Sequence, residues 1–253
     1  MGVTCVFRWV NATGSTSLSQ LNAQLTQRLF AANLGRWTVT CRLYREIPPA
    51  LDPAATTVGS PTMAIGNKSH EKMLLLLTHT AEPARQYAMV DESCIVETDR
   101  ELEAIVHKLK NLWVARQSSQ IDGHLYDLGD FRVRMGNMMV GTANKGVIVE
   151  VEYVPCCYPQ ACQRILAEFI GLLMPSNAQL SFSVRSTTTN GQQEPGSQSL
   201  TSSTALGMAP SAVAAHPEVL VMDYGRAGIY QAQFTALNTA YQYFALFRAD
   251  NLL

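Results

Sequence analysis

The chain has 253 residues, of which 47% are apolar and 15% charged, and its 20 acidic and 19 basic side chains leave a net charge of −1. This length supports one large domain or two small ones, with a hydrophobic core that needs no disulfide or metal to fold. Because the charge is balanced, nothing attracts the chain generally to DNA, RNA or an anionic membrane, and we expect it to bind no nucleic acid and no membrane.

The six cysteines lie in apolar stretches, and no leader peptide is recognisable before the first of them. This pattern favours a reduced, intracellular protein. Cys156, Cys157 and Cys162 have no nearby histidine and no C-x-x-C spacing, so we expect no zinc site.

The N-terminal region is predicted to form a strand, a helix and a second strand. Residues 3–10 are rich in β-branched and aromatic side chains, which is typical of a strand. A helix is indicated after N-cap Ser17 and before Gly35 by leucines at positions 18, 21, 25 and 29. Residues 37–45 alternate between apolar and polar, which predicts a strand with one solvated face.

The next region is predicted to begin with a flexible insert, residues 47–71, because it holds four prolines and several small polar residues. Short strands are expected at 72–79, 85–90 and 94–98. The apolar spacing of 99–116, with acidic residues early and basic residues late, predicts a helix.

A meander of antiparallel strands is predicted for the region after this helix, with strands at 119–128, 130–135, 137–141 and 146–154. The GTANKG stretch at 141–146 is read as a hairpin turn and not as a phosphate loop, because its lysine precedes the second glycine. Pro159 opens a predicted helix that Pro175 ends.

The C-terminal third combines a predicted disordered insert, residues 183–215, with a helix at 229–248. The insert includes a Ser/Thr-rich tract that lacks enough apolar surface to fold. The helix carries more aromatic residues than one core-facing stripe needs, so it is either buried within the chain, which base rates favour, or offered to a partner. The candidate partner-contacting residues are Phe234, Tyr241, Phe244 and Phe247.

The order of these elements predicts an α+β fold, a many-stranded antiparallel β-barrel flanked by α-helices, in which residues 1–253 form a single barrel-like domain.

The most suggestive polar pattern is the pair Glu150 and Glu152, which share one face of a predicted strand. Inside a closed barrel they could hold Mg²⁺ or Mn²⁺, but a solvent-facing strand is the favoured interpretation. Arg132 and Arg134 also share a face, and they either form ion pairs with these carboxylates or are exposed to solvent. We expect His107 and His124 to be ordinary solvated or hydrogen-bonded histidines.

Several blocks of this sequence resemble the subunit 20 family of the Mediator coactivator, in the order and with the spacing of that family. The blocks are MGVTC at the start, HKLKNLW, SSQIDGHLYDLGDFRVRMGNMMVG, KGVIVEVEYVPC, and DYG with NTAYQYFALFR at the end. They cover about half of the chain. The inserts at 47–71 and 176–217 look longer than the family requires.

The resemblance implies a non-enzymatic, nuclear subunit of the Mediator head module, folded as an antiparallel barrel and without a cofactor. Such a subunit pairs with the similarly folded Mediator subunit 18 as a heterodimer and is tethered by a helix of subunit 8. Together with other head-module subunits it helps to couple activators to RNA polymerase II and to basal factors that include the TATA-binding protein.

The competing interpretation is enzymatic. Barrels of this family look similar to metal-dependent enzymes that hydrolyse triphosphates in a tunnel, whose signature strand reads E-x-E-x-K. Here Glu150 and Glu152 match the two acidic positions, but Val154 replaces the lysine. Without that cation a tunnel would lack charge needed to hold a polyphosphate.

Overall fold

The computed structural model describes residues 1–47, 72–91, 93–182 and 224–253. Apart from Ile47, the predicted inserts 47–71 and 183–215 therefore lie outside the described residues. The helices in these ranges lack the length and the apolar character that a bilayer-spanning helix requires.

Nine strands and four α-helices make up the described chain. The strands are β1 (Val3–Trp9), β2 (Ala32–Glu46), β3 (Met73–His79), β4 (Arg85–Val90), β5 (Cys94–Asp99), β6 (Trp113–Asp127), β7 (Phe131–Val140), β8 (Ala143–Tyr153) and β9 (Leu180–Phe182). The helices are α1 (Ser15–Ala23), α2 (Glu101–Lys108), α3 (Pro159–Leu173) and α4 (Ala236–Ala249). A π-helical turn, Gln24–Arg28, continues α1, and a 3₁₀ turn, Tyr224–Ala227, precedes α4.

The strands form one sheet in the order β5-β4-β3-β2-β6-β7-β8-β1-β9, and every neighbouring pair is antiparallel. The predicted α+β class is confirmed. The predicted closure into a barrel is wrong, because β5 and β9 are the two edges of an open sheet.

A helix takes the place of strand-to-strand closure. Helix α4 contacts β1 near one edge of the sheet and β4 and β5 at the other, so the sheet curves around it. On the side of β1 where β9 has ended, the carboxamide of Gln242 accepts a hydrogen bond from the Val6 N–H (2.7 Å) and donates one to the Thr4 C=O (2.7 Å). Gln242 thereby satisfies the strand as a neighbouring strand would.

Apolar side chains fill both faces of the sheet. Odd-numbered residues of β1 pack under α1 and α3 on the outer face, and Val6 and Ile148 pack with α4 on the inner face. A smaller cluster under Val106 of α2 covers the outer face of β3 and β4. The alternation of side chains along each strand divides the residues between these layers.

The first helix and second strand differ from their predicted limits. Helix α1 begins after Gly14, and the Ser17 hydroxyl accepts a hydrogen bond from the Thr13 N–H inside its first turn. Gly35 is not a helix exit but lies in β2, where the register with β6 shifts between Asn33 and Gly35. The alternating pattern covers only residues 37–45, but β2 begins at Ala32, because residues before Trp37 also pair with the long strand β6.

The helix predicted at 99–116 is half as long as its periodicity suggests. Helix α2 ends at Lys108, and from Trp113 onward the chain pairs with β2, Trp113 opposite Glu46. Leu109 and Leu112 are consequently exposed. Strand pairing with β2, which sequence periodicity does not report, overrides helix propensity here.

Helix α4 begins at Ala236, later than the predicted start at residue 229. Its start is set by a capping box in which the Asn238 side chain accepts from the Thr235 N–H at 2.8 Å. The predicted strands at 130–135 and 137–141 are one strand, β7, and β9 was not predicted at all.

Candidate functional site

A cluster of buried charges lies between the curved sheet and α4. Glu150 and Glu152 of β8 point to the inner face, and Arg134 lies opposite Glu150 on β7. Arg134 Nη1 donates to Glu150 Oε1 at 2.5 Å, and Arg134 Nη2 donates to Glu152 Oε2 at 3.0 Å. All three are buried, with exposed fractions of 7%, 1% and 3% for the arginine and the two glutamates.

The favoured prediction that Glu150 and Glu152 face solvent is therefore wrong. Alternation along β8 is preserved, but the second face of the sheet is covered by α4 and not by water. Of the two arginines that share a face, Arg134 forms ion pairs with both carboxylates and Arg132 is exposed.

Further partners complete the cluster. The Tyr243 hydroxyl of α4 donates to Glu150 Oε2 at 2.5 Å, and His79 Nε2 of β3 lies 3.5 Å from the same oxygen. The Gly2 N–H donates to Glu152 Oε1 at 3.1 Å. Sequence reasoning missed these three residues, because each joins the cluster only through tertiary structure. The one signal in the sequence was Tyr243, a tyrosine hydroxyl in an otherwise apolar part of the C-terminal helix, which needs a hydrogen-bond partner when it is buried.

The pKa values of Glu150 and Arg134 keep this buried pair ionised. Burial raises the pKa of Glu150, but the Arg134 guanidinium, together with the nearby His79 ring and the hydrogen bond from Tyr243, outweighs this and lowers it from 4.5 to about 2. Burial lowers the pKa of Arg134, yet the two glutamates leave it above its ordinary value. Burial and the adjacent Glu150 charge raise the pKa of Tyr243 well above 10, so the phenol remains protonated.

A small, partly open cavity adjoins the cluster. Its volume is about 40 Å³, and its walls include Leu77, His79, Arg134, Glu150, Thr239 and Tyr243. Among the described residues, Arg134 Nε and Thr239 Oγ1 are buried without a hydrogen-bond partner. The volume is sufficient for one or a few water molecules, which would satisfy both atoms.

The cluster is poorly suited to hold a divalent cation. Both oxygens of each carboxylate already accept hydrogen bonds, and the Arg134 guanidinium occupies the position between them. Over the described parts of the chain, no three His, Cys, Asp or Glu residues are grouped so that they could bind a metal ion.

The histidines and cysteines considered as candidates from the sequence lie outside the charged cluster. His107 lies exposed on α2, 3.8 Å from Glu103, and His124 is exposed on β6. Cys162 is buried at the start of α3, and burial, with the neighbouring thiols of Cys156 and Cys157, raises its pKa to about 12. A thiol held in its neutral form is unreactive.

The aromatic candidates for partner contact lie mainly inside the chain. Phe234 is 3% exposed, Phe244 and Phe247 are fully buried on the inner face, and Tyr241 is half-buried with its ring 5.9 Å from that of Tyr224. Partner contact through these four residues stays a prediction. Of the four, only Tyr241 presents surface without α4 leaving the sheet.

By fold, then, the chain is an α+β protein whose curved antiparallel sheet packs around its own C-terminal helix, and the charged groups of its buried cluster are paired with one another. Comparisons with known proteins define it further. Residues 1–248 match the family model described as the TATA-binding related factor of subunit 20 of the Mediator complex.

Named relatives agree with this match. The chain is 30% identical over 183 residues to the human Mediator of RNA polymerase II transcription subunit 20, an alignment that covers 70% of this chain and 79% of the human protein. It is 29% identical to the Xenopus laevis subunit 20 over 70% of this chain and 80% of that protein. With the Schizosaccharomyces pombe subunit 20 the identity is 30%, covering 67% and 76%. The chain belongs to the Mediator subunit 20 family, a family of RNA polymerase II transcription proteins.

Two solved structures show only a weak likeness. The PH1012 protein of Pyrococcus horikoshii matches with a TM-score of 0.38 at 14% identity, over 71% of this chain and 94% of that one. A conserved hypothetical protein of Pyrococcus furiosus matches with a TM-score of 0.39 at 12% identity, over 70% and 95%. Similarity at this level carries no argument about function.

Proposed function

We propose that the chain is a non-catalytic, nuclear subunit of the Mediator head module that pairs with Mediator subunit 18. The observation that carries this proposal is the family match over residues 1–248, which includes the whole described sheet and nearly all of α4. In this role the chain acts as a single domain, is tethered by a helix of subunit 8, and helps to couple activators to RNA polymerase II and to basal factors such as the TATA-binding protein.

The charged cluster supports a structural role and not catalysis. Arg134 neutralises one of two adjacent negative charges. Tyr243 and His79 lie against Glu150 Oε2, the carboxylate oxygen that Arg134 does not bind. A metal-dependent hydrolase needs carboxylates free to bind the metal and cations free to hold phosphates. Here the arginine and both glutamates are buried and engaged with one another.

The surface supports protein partners. The net charge is −1, and several large apolar side chains are exposed, which favours contact with protein surfaces over polyanions. Phe30, Leu34 and Leu172 are among them.

Pairing with subunit 18 is tested by co-expression. We expect the two chains to elute from a size-exclusion column as a single one-to-one complex at micromolar concentration, with the mass of the heterodimer by light scattering. Each chain expressed alone and mixed afterwards serves as a control for assembly that depends on co-folding. Separate elution under both conditions would contradict the proposal.

Absence of triphosphate hydrolysis is tested with a variant that preserves the shape of the cluster. We expect wild type and Glu150→Gln to release phosphate from a nucleoside triphosphate equally slowly, at the rate of buffer with Mg²⁺ or Mn²⁺ alone. Metal-dependent release by wild type that disappears in Glu150→Gln, with the variant still folded at the assay temperature, would instead revive the tunnel-hydrolase alternative.

A further inference from the structure

Phe30 is held in a backbone conformation that its side chain disfavours, with its ring almost fully exposed. It follows the π-helical turn Gln24–Arg28 with φ +53°, and 85% of its surface is accessible. Bulky L-residues rarely adopt this left-handed region, which glycine and asparagine enter at much lower cost. The position after a helix end is where glycine is most common.

The turn is anchored on both sides of Phe30. The Leu29 N–H donates to the Gln24 C=O at 3.1 Å, and the Ala31 N–H donates to the Leu25 C=O at 2.9 Å. Leu25 and Ala31 on either side are buried in the outer core, with 0% and 8% exposure. The chain therefore anchors both flanks of the turn and directs the phenylalanine outward.

Two further exposed apolar side chains and one exposed cation belong to this turn or to elements joined to it. Leu34 is 56% exposed in the irregular stretch of β2, and Leu172, at the end of α3, is 59% exposed. The Leu172 C=O accepts a hydrogen bond from Gln24 Nε2 at 3.2 Å, which joins α3 to the π-helical turn. Arg28 is exposed, and no ion pair or hydrogen bond engages its side chain among the residues that the structure describes.

We propose that Phe30 and Leu34, flanked by Arg28, form an anchor that inserts into an apolar pocket with a carboxylate at its rim on a neighbouring Mediator subunit. This inference rests on the proposed function. In the free chain Phe30 is disfavoured both by its backbone conformation and by the exposure of its ring, and burial of the ring against another chain would offset this cost. Aromatic residues that enter a pocket beside an arginine are typical of the energetic centre of protein interfaces.

The opposite effects of one substitution on stability and binding test this inference. Phe30→Gly relieves the left-handed strain and removes the ring, so we expect the isolated chain to keep its Tm or gain up to about 4 °C. In a recombinant head module, the same variant should bind at least about tenfold more weakly than wild type, and Arg28→Glu should also weaken binding. Tyr230→Ala is the matched control, because Tyr230 is equally exposed at 85% and should change neither quantity.

A photo-cross-linking amino acid at position 30 identifies the partner directly. We expect one cross-linked head-module subunit from position 30 and a different pattern, or none, from position 230. Wild-type affinity of Phe30→Gly, or a fall in its Tm of more than about 2 °C, would overturn the inference. So would a cross-link between two copies of this chain. Failure of the wild-type chain to enter the head module would instead overturn the proposed function, and this inference with it.

Discussion

Replacing Arg134 with methionine is expected to lower the free energy of unfolding by about 3–5 kcal/mol, the usual loss when one partner of a buried ion cluster is removed. Methionine fills most of the volume of the arginine side chain, so the loss comes from charge and not from a cavity. Glu150 and Glu152 would remain in the core as two adjacent carboxylates without a cation. In thermal unfolding the Tm should fall by on the order of 10 °C.

Two further variants decide whether charge is the cause. Arg132→Met removes an exposed arginine from the same face of β7 and should leave Tm within about 2 °C of wild type. The triple variant Arg134→Met, Glu150→Gln, Glu152→Gln should recover part of the loss, because neutral amides are cheaper to bury than carboxylates. If the triple variant is less stable than Arg134→Met alone, unpaired charge is not the cause.

The same cluster predicts a pH dependence of stability. Because the folded-state pKa of Glu150 is lowered from 4.5 to about 2, its ionised form stabilises wild type above pH 4.5, and this contribution is lost as pH falls through that window. In Arg134→Met the main opposing charge is gone, burial raises the pKa of Glu150, and protonation favours the folded state. The penalty of the variant should therefore shrink between about pH 7 and about pH 4 in urea unfolding. A penalty that stays constant or grows would contradict this assignment.

Gln242→Met is expected to cost on the order of 2–4 kcal/mol, because it leaves the Val6 N–H and the Thr4 C=O buried without partners. It also removes the hydrogen bond that Gln242 Nε2 donates to the Tyr224 hydroxyl at 2.9 Å. The substitution preserves length and apolar contact, so the loss reports the hydrogen bonds. Urea unfolding at neutral pH measures it.

Gln233→Met is the control for this prediction. Gln233 precedes α4 and is exposed, and among the described residues it donates only to the Tyr158 hydroxyl, at 3.2 Å. Its replacement should therefore change stability by less than about 0.5 kcal/mol. Equal stability of the two variants would mean that the edge of β1 does not depend on Gln242. A Gln242→Met variant that self-associates would, in contrast, support its role in covering a free strand edge.

Much of the fold was predictable because local patterns carry it. Strand β1, the three strands β3 to β5 and helix α3 lie close to their predicted limits, since each is marked by its own periodicity and by proline, glycine or charged residues at its ends. The boundary between helix α2 and strand β6 was predicted too late in the chain. The apolar spacing of residues 109–116 is compatible with a helix, but in the folded protein residues 113–115 pair with β2.

The charged cluster was predictable from the sequence only in part. The alternation along β8 placed Glu150 and Glu152 on one face and identified Arg134 as a possible counter-charge. It did not reveal burial, because a strand with glutamates on one face reads in the same way whether that face meets water or a helix.

The sequence by itself determined an antiparallel α+β protein of nearly balanced charge with an aromatic C-terminal helix, because composition and short-range periodicity are local properties. Only the tertiary structure decided that the sheet stays open and curves around α4. That outcome depends on contacts far apart in the chain, such as Tyr243 with Glu150 across 93 positions and Gln242 with Thr4 across 238. These contacts arise from how the elements pack, and no window of neighbouring residues contains them.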